Sequence, residues 1–185
     1  MARVLNLILI ALEIRGFSLS NISKRKWLIF AFYTQLSNML ATLSSVLLVI
    51  AGQLAWVTTL RYLSVCMLVM TALVTIFVLV PMGGDPHWLL WSGNGLYHHV
   101  LCPALAAISY VFFEAHAPRS TLLLPVVVTL AYGLILIWLN YIRVVDGPYP
   151  FFKVHEQSWF ATVLWVLVLL AVITAISFGV LIIAP

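Results

Sequence analysis

The side chains in this 185-residue chain that could do chemistry are few, and they sit inside apolar runs. Thr34 and the adjacent pair His98 and His99 supply the minimal set for acyl transfer, a hydroxyl nucleophile and an imidazole base. Imidazole titrates near neutrality, so it can take the Thr34 proton and later return it to a leaving group. Neighbours on a helix point about 100° apart, so one of His98 and His99 is expected to face the interior. A third polar group would orient the base; Glu13, Asn38, Asn94 and Asn140 are the candidates, and spacing does not choose among them. Thr34, Ser37, Asn38 and Ser45 recur along one helical stripe. A stripe of that kind also serves to bond back to its own helix or to pack closely on a neighbour. The Gly-x-Ser-x-Gly elbow of soluble hydrolases is absent. His87, His98, His99 and His155 lack the His-x-x-x-His or cysteine-rich spacing of a metal site, so neither a metal nor a cofactor is expected.

The elements that would position these groups follow from composition. Hydrophobic residues make up 64% of the chain and charged residues 8%, against about half and a quarter in an ordinary soluble domain. That excludes a soluble enzyme with a polar surface, a disordered chain and a nucleic-acid binder. The net charge of +4 is a sparse topology signal and no basic patch. Cys66 and Cys102 lie within apolar runs and imply no disulfide framework. A bilayer core takes about 20 apolar residues per helix, and six segments qualify: Ala2–Leu19, Trp27–Ala51, Trp56–Val80, Leu89–Phe113, Thr121–Ile142 and Ser158–Ile183. The expected fold is one all-α integral membrane domain over residues 1–185, a six-transmembrane-helix bundle. The first segment carries Glu13 and Arg15 and lacks a small-residue cleavage site, so it reads as a retained helix rather than a signal peptide.

Loops one, three and five would share a face. That face collects Arg15, Lys24, Arg25, Lys26, Arg143 and Lys153, against Arg3, Arg61 and Arg119 opposite, which favours odd loops in the cytoplasm and both termini outside. Trp27, Trp88, Trp91 and Trp159 fall at the odd-loop interface, as anchors do. At a rise of about 1.5 Å per residue, Thr34, His98, His99 and Glu13 all lie roughly 9–15 Å below that face, and Asn140 lies near it. The opposite half of the membrane reads as much poorer in polar groups. In loop five, Pro148 and Pro150 stiffen a turn, so Tyr149, Phe151 and Phe152 either cover a cavity mouth or anchor an interfacial turn.

Three patches carry a resemblance: Phe32-Tyr33-Thr34-Gln35-Leu36-Ser37-Asn38-Met39-Leu40, Asn94-Gly95-Leu96-Tyr97-His98-His99-Val100-Leu101-Cys102-Pro103, and Asp146-Gly147-Pro148-Tyr149-Pro150-Phe151-Phe152. In order and spacing the chain resembles the androgen-induced gene and androgen-dependent TFPI-regulating protein family of multispanning membrane proteins, and most closely its small bacterial relatives. Mammalian members hydrolyse fatty acid esters of hydroxy fatty acids with a threonine nucleophile and a histidine. The resemblance implies that Thr34 is the threonine and His98, five residues before Pro103, the histidine, with His99 the alternative. The Gln-Leu-Ser-Asn run after Thr34 departs from the mammalian pattern, which leaves the substrate open. The implied partner is a membrane lipid or fatty-acyl ester; the short loops and compact size point to a prokaryotic inner membrane, with a eukaryotic internal membrane as the alternative. An acyl-threonine could equally pass its acyl group to an alcohol, so acyl transfer stands beside hydrolysis. A transporter would want an interior polar layer too, but usually shows paired repeats. A non-catalytic lipid-binding bundle would use the same residues to hold helices together. A fluorophosphonate probe separates the enzyme from both. The oligomeric state is left open.

Overall fold

The computed structural model describes residues 1–20 and 26–183. Six long helices account for most of them: α1 (Ala2–Leu19), α2 (Tyr33–Ala51), α3 (Ala55–Val74, carried on by a π-helical turn, Thr75–Leu79), α4 (Gly93–Phe113), α5 (Leu124–Tyr141) and α6 (Trp159–Ile183). No strand occurs among the described residues. Five helices, α2 to α6, are long and apolar enough to cross a membrane. Helix α1 is also there and packs on α2 and α4, but Arg3, Glu13 and Arg15 make it more charged than the others. Outward faces are apolar, with Phe77, Phe112, Trp138, Phe160 and Phe178 all exposed. A protein surrounded by water does not carry such a surface over its whole girth, and an all-α integral membrane protein does.

Successive helices run in opposite directions. The C-terminal part of α1 meets the start of α4 through Gly16 and His98, while Asn6 near the start of α1 bonds Glu114 just beyond the end of α4. Loops one, three and five therefore share one end, here the odd-loop end. Helix α1 turns Ala2, Asn6, Leu9, Glu13 and Gly16 inward, an alternation of four and three residues that keeps a single seam against its neighbours. Gly52, at φ 75°, ends α2 in a conformation that glycine adopts without strain. Trp88, Trp91 and Trp159 are exposed at the odd-loop end. Lys24 and Arg25, and the side chains of Lys26 and Trp27, lie outside the described residues.

Two departures from the expected helices bear on function. The second apolar run is not one helix: a 3-10 turn over Lys26–Ala31 is followed by Phe32 in extended backbone, and α2 begins at Tyr33. Thr34 is thus the second residue of its helix, not the eighth. In α4, Leu96–Leu101 is a π-helical stretch, with Cys102 N–H bonded to the Tyr97 carbonyl five residues back. Pro103 explains it. Proline has no N–H for the carbonyl four residues before it, here His99, and the ladder widens upstream of the ring. His98 and His99 both lie in that widened stretch.

Candidate functional site

Thr34 opens onto a cleft between α2, α3, α5, α6 and loop five, with about 590 Å³ of atom-free space, its open side included. The apolar walls come from Met70, Val74, Leu79, Leu130, Val166 and Leu170. Hydroxyls ring the Thr34 side: Tyr33, Thr71, Thr75, Thr129, Tyr132 and Tyr149. Most of these are held in place. Tyr33 Oη and Thr129 Oγ1 are 2.8 Å apart, Tyr132 donates to the Ala31 carbonyl at 2.8 Å, and Thr71 Oγ1 lies 3.0 Å from Ser37 Oγ. Ser37 thus bridges α2 to α3 rather than facing the cleft.

Loop five enters the bundle. Tyr149, Phe151 and Phe152 are all buried, so the segment covers the cleft instead of floating at the interface. The phenol oxygen of Tyr149 accepts the Thr34 N–H at 3.4 Å, and it lies beside the Thr34 hydroxyl. Asn140, at the end of α5, fastens the loop at both sides: Nδ2 donates to the Val145 carbonyl at 3.0 Å and Oδ1 accepts the Val154 N–H at 2.9 Å. Just before α6, Gln157 donates to the Phe151 carbonyl at 2.8 Å. Asn140 therefore acts on the site by holding Tyr149 in place, and does not meet the histidines.

His98 occupies a different compartment. Its imidazole is buried against α1, with Nε2 3.6 Å from Glu13 Oε2 and the ring centroid 4.7 Å from that of Phe17. No hydrogen bond joins His98 to Thr34 among the described residues. What links their helices is Asn38, whose Nδ2 donates to the Thr34 carbonyl at 2.7 Å and, at the 3.5 Å limit, to the His98 carbonyl. His99 turns the other way, with Nδ1 2.7 Å from the Leu89 carbonyl, and so secures the turn before α4. Asn94 is half-buried at the start of α4 and is not part of the cleft wall. Among the described residues no three His, Cys, Asp or Glu side chains converge as metal ligands would.

The other half of the bundle is not poor in polar groups, contrary to the sequence-based expectation. Arg61 and Glu114 form a fully buried ion pair, Nε to Oε2 at 2.9 Å and Nη2 to Oε1 at 3.1 Å. Arg61 Nη1 also donates to Ser45 Oγ at 3.0 Å. Glu114 Oε1 accepts from Asn6 at 2.8 Å and from Ser109 at 2.6 Å. Ser44 and Ser64, 3.0 Å apart, complete the layer. Arg61 had counted as a loop-side topology charge; it stands six residues inside α3, roughly 9 Å along the axis, and drops out of that count. An arginine within an apolar run, with Ser64 on its own helix and Ser44 and Ser45 on the preceding one, was the signal available for this network.

No family model, curated protein or solved structure matches the chain.

Proposed function

We propose that the protein is an intramembrane acyl-ester hydrolase of lipids, with Thr34 as its nucleophile, in a six-span bundle of a bacterial inner membrane with α1 as the sixth span and both termini outside. The observation that carries the reading is the Thr34 cleft: a buried hydroxyl at the polar end of an apolar cavity, under a loop that brings a phenol to it. An acyl tail would lie along Met70, Val74 and Leu170, with its ester carbonyl at Thr34. Thr34 Oγ1 would attack the carbonyl carbon while its proton passes to His98. The collapsing tetrahedral intermediate would expel the alcohol, which takes that proton, and water would release the fatty acid from Thr34 by the reverse steps. An alcohol in place of water would make the same site an acyltransferase. Resemblance to the androgen-induced gene family supports Thr34 and His98 in these roles.

A second reading, a lipid-binding bundle without catalysis, is favoured by one observation: the His98 imidazole faces α1 and not Thr34. Turnover of fatty-acyl esters by the native chain, Thr34→Ala and His98→Ala in nanodiscs separates the two. The hydrolase reading expects both variants to fold and to lose at least about 100-fold in rate, the scale of losing a nucleophile or its base. Full turnover by Thr34→Ala overturns it.

A further inference from the structure

The region around His98 is chemically incomplete in a way the rest of the bundle is not. Nine buried side-chain nitrogen and oxygen atoms lack a hydrogen-bond partner among the described residues, and five of them belong to Glu13, Asn38 and His98. Buried polar atoms nearly always find a partner in protein or ordered water, so a cluster of them without protein partners calls for an explanation. The His98 ring is nonetheless closely seated. A Cβ on Gly16 would collide with Nε2 and Cδ2 of His98, so the glycine is the notch that admits the imidazole. Glu13, Gly16 and Phe17 stand at spacings of three and four and therefore share a face of α1. The titratable groups at this contact are Glu13 from α1, and His98 with its neighbour His99 and the Cys102 thiol one turn further along α4; α2 presents the neutral Asn38, and α3 only the more distant charge of Arg61.

We propose that Glu13 is the positioning residue of the base: it receives Nε2–H of His98 in the Gly16 notch, which leaves Nδ1 as the nitrogen that takes a proton. This rests on the hydrolase reading. Which ring nitrogen carries the proton is set by the partner of the other, and Nε2 is the nitrogen that faces the carboxylate, at 3.6 Å. Neither ring nitrogen has a partner within hydrogen-bond distance, and Nε2 is the one with the Glu13 carboxyl beside it. Asn38 Oδ1, also unpartnered, lies on the residue that joins the two helices, where it can hold a water between Thr34 and Nδ1. The threonine proton would move to that water as the water gives one to Nδ1. The ring becomes an imidazolium whose Nε2–H stays on Glu13, and Nδ1 later returns the proton to the leaving alkoxide. No proton passes to Glu13.

The test is tautomer-resolved NMR of the full chain, labelled with 15N-histidine in nanodiscs, with His98→Gln identifying the signal. His98 is expected as the Nε2–H tautomer. Glu13→Gln keeps the size but offers an amide N–H, which should drive the proton to Nδ1 and cut ester turnover at least about 100-fold, as a wrong tautomer does. Glu13→Asp should retain the native tautomer and most of the turnover. Gly16→Ala, which keeps every ionisable group, should displace the ring and lose turnover by a similar factor. A native Nδ1–H tautomer, a tautomer unmoved by Glu13→Gln, or full turnover with the tautomer flipped each overturns the proposal. The spectra read this assignment even if the native chain hydrolyses no lipid ester, a result that would sink only the hydrolase reading.

Discussion

Two buried polar layers lie at different depths in the bundle, and they are satisfied very differently. Around Arg61 and Glu114, near the even-loop end, charge meets charge and each hydroxyl has a partner; Asn6 Oδ1 is the one exception in that network. Around His98, near the odd-loop end, a carboxyl and an imidazole sit 3.6 Å apart, with the Cys102 thiol and the Glu13 backbone beside them but no well-formed side-chain hydrogen bond between them. A satisfied network rigidifies, and an unsatisfied one is a cost that function has to justify. On the hydrolase proposal, the even-loop layer serves stability and the odd-loop layer serves the chemistry.

The largest expected effect tests the first half of that comparison. Glu114→Ala leaves the Arg61 guanidinium uncompensated in the bundle interior and should destabilise the protein by about 3–5 kcal/mol, read as a fall in detergent unfolding temperature. Arg61→Met combined with Glu114→Leu removes both charges and should recover most of the loss. A single variant within about 1 kcal/mol of native would show that the pair does not hold the bundle.

Asn140→Ala should have an intermediate effect. Two hydrogen bonds to loop five disappear, about 1–2 kcal/mol in all. Amides over 145–154 should exchange faster, and turnover should drop because Tyr149 is no longer held at Thr34. Unchanged exchange would mean that the aromatic packing of Tyr149, Phe151 and Trp165 alone seats the loop.

Within the odd-loop layer the expected stability change is smaller. His98→Leu removes an imidazole that faces Glu13 at 3.6 Å, longer than a well-formed hydrogen bond, so it should cost no more than about 1 kcal/mol while turnover is lost. A large destabilisation there would erase the contrast between the layers. The smallest effect belongs to the exposed Lys153–Glu156 pair, at 3.0 Å. The hydrogen bond to Glu156 raises the lysine pKa. That contribution is present below the ordinary lysine pKa, neutral pH included, and is lost as pH rises through the raised value; because the pair is exposed it is small, and Lys153→Met should leave stability unresolved from native.

The helices themselves were legible, because bilayer thickness fixes the length of an apolar run. Helices α1 and α6 start and stop within a residue of the sequence expectation. The break at Phe32 was hidden in an aromatic stretch that holds neither proline nor glycine. Depth along the axis brought Glu13, Thr34, His98, His99 and Asn140 towards one layer, but depth says nothing of azimuth. Pro103 widens α4 just where azimuth decides which way each imidazole points, so His98 meets Glu13 and His99 meets the Leu89 carbonyl. The Arg61–Glu114 pair joins residues 53 positions apart, and no local pattern connects them.

The central claim, that Thr34 is the nucleophile of an acyl-transfer cleft, has one direct test. The chain in nanodiscs would be treated with a long-chain alkyl fluorophosphonate, and the adduct mapped by peptide mass spectrometry. The account predicts a single phosphonyl adduct on Thr34, prevented by a competing fatty-acyl ester and lost in Thr34→Ala. An adduct on another residue, or lipid-ester turnover that survives with Thr34 unlabelled, would contradict it.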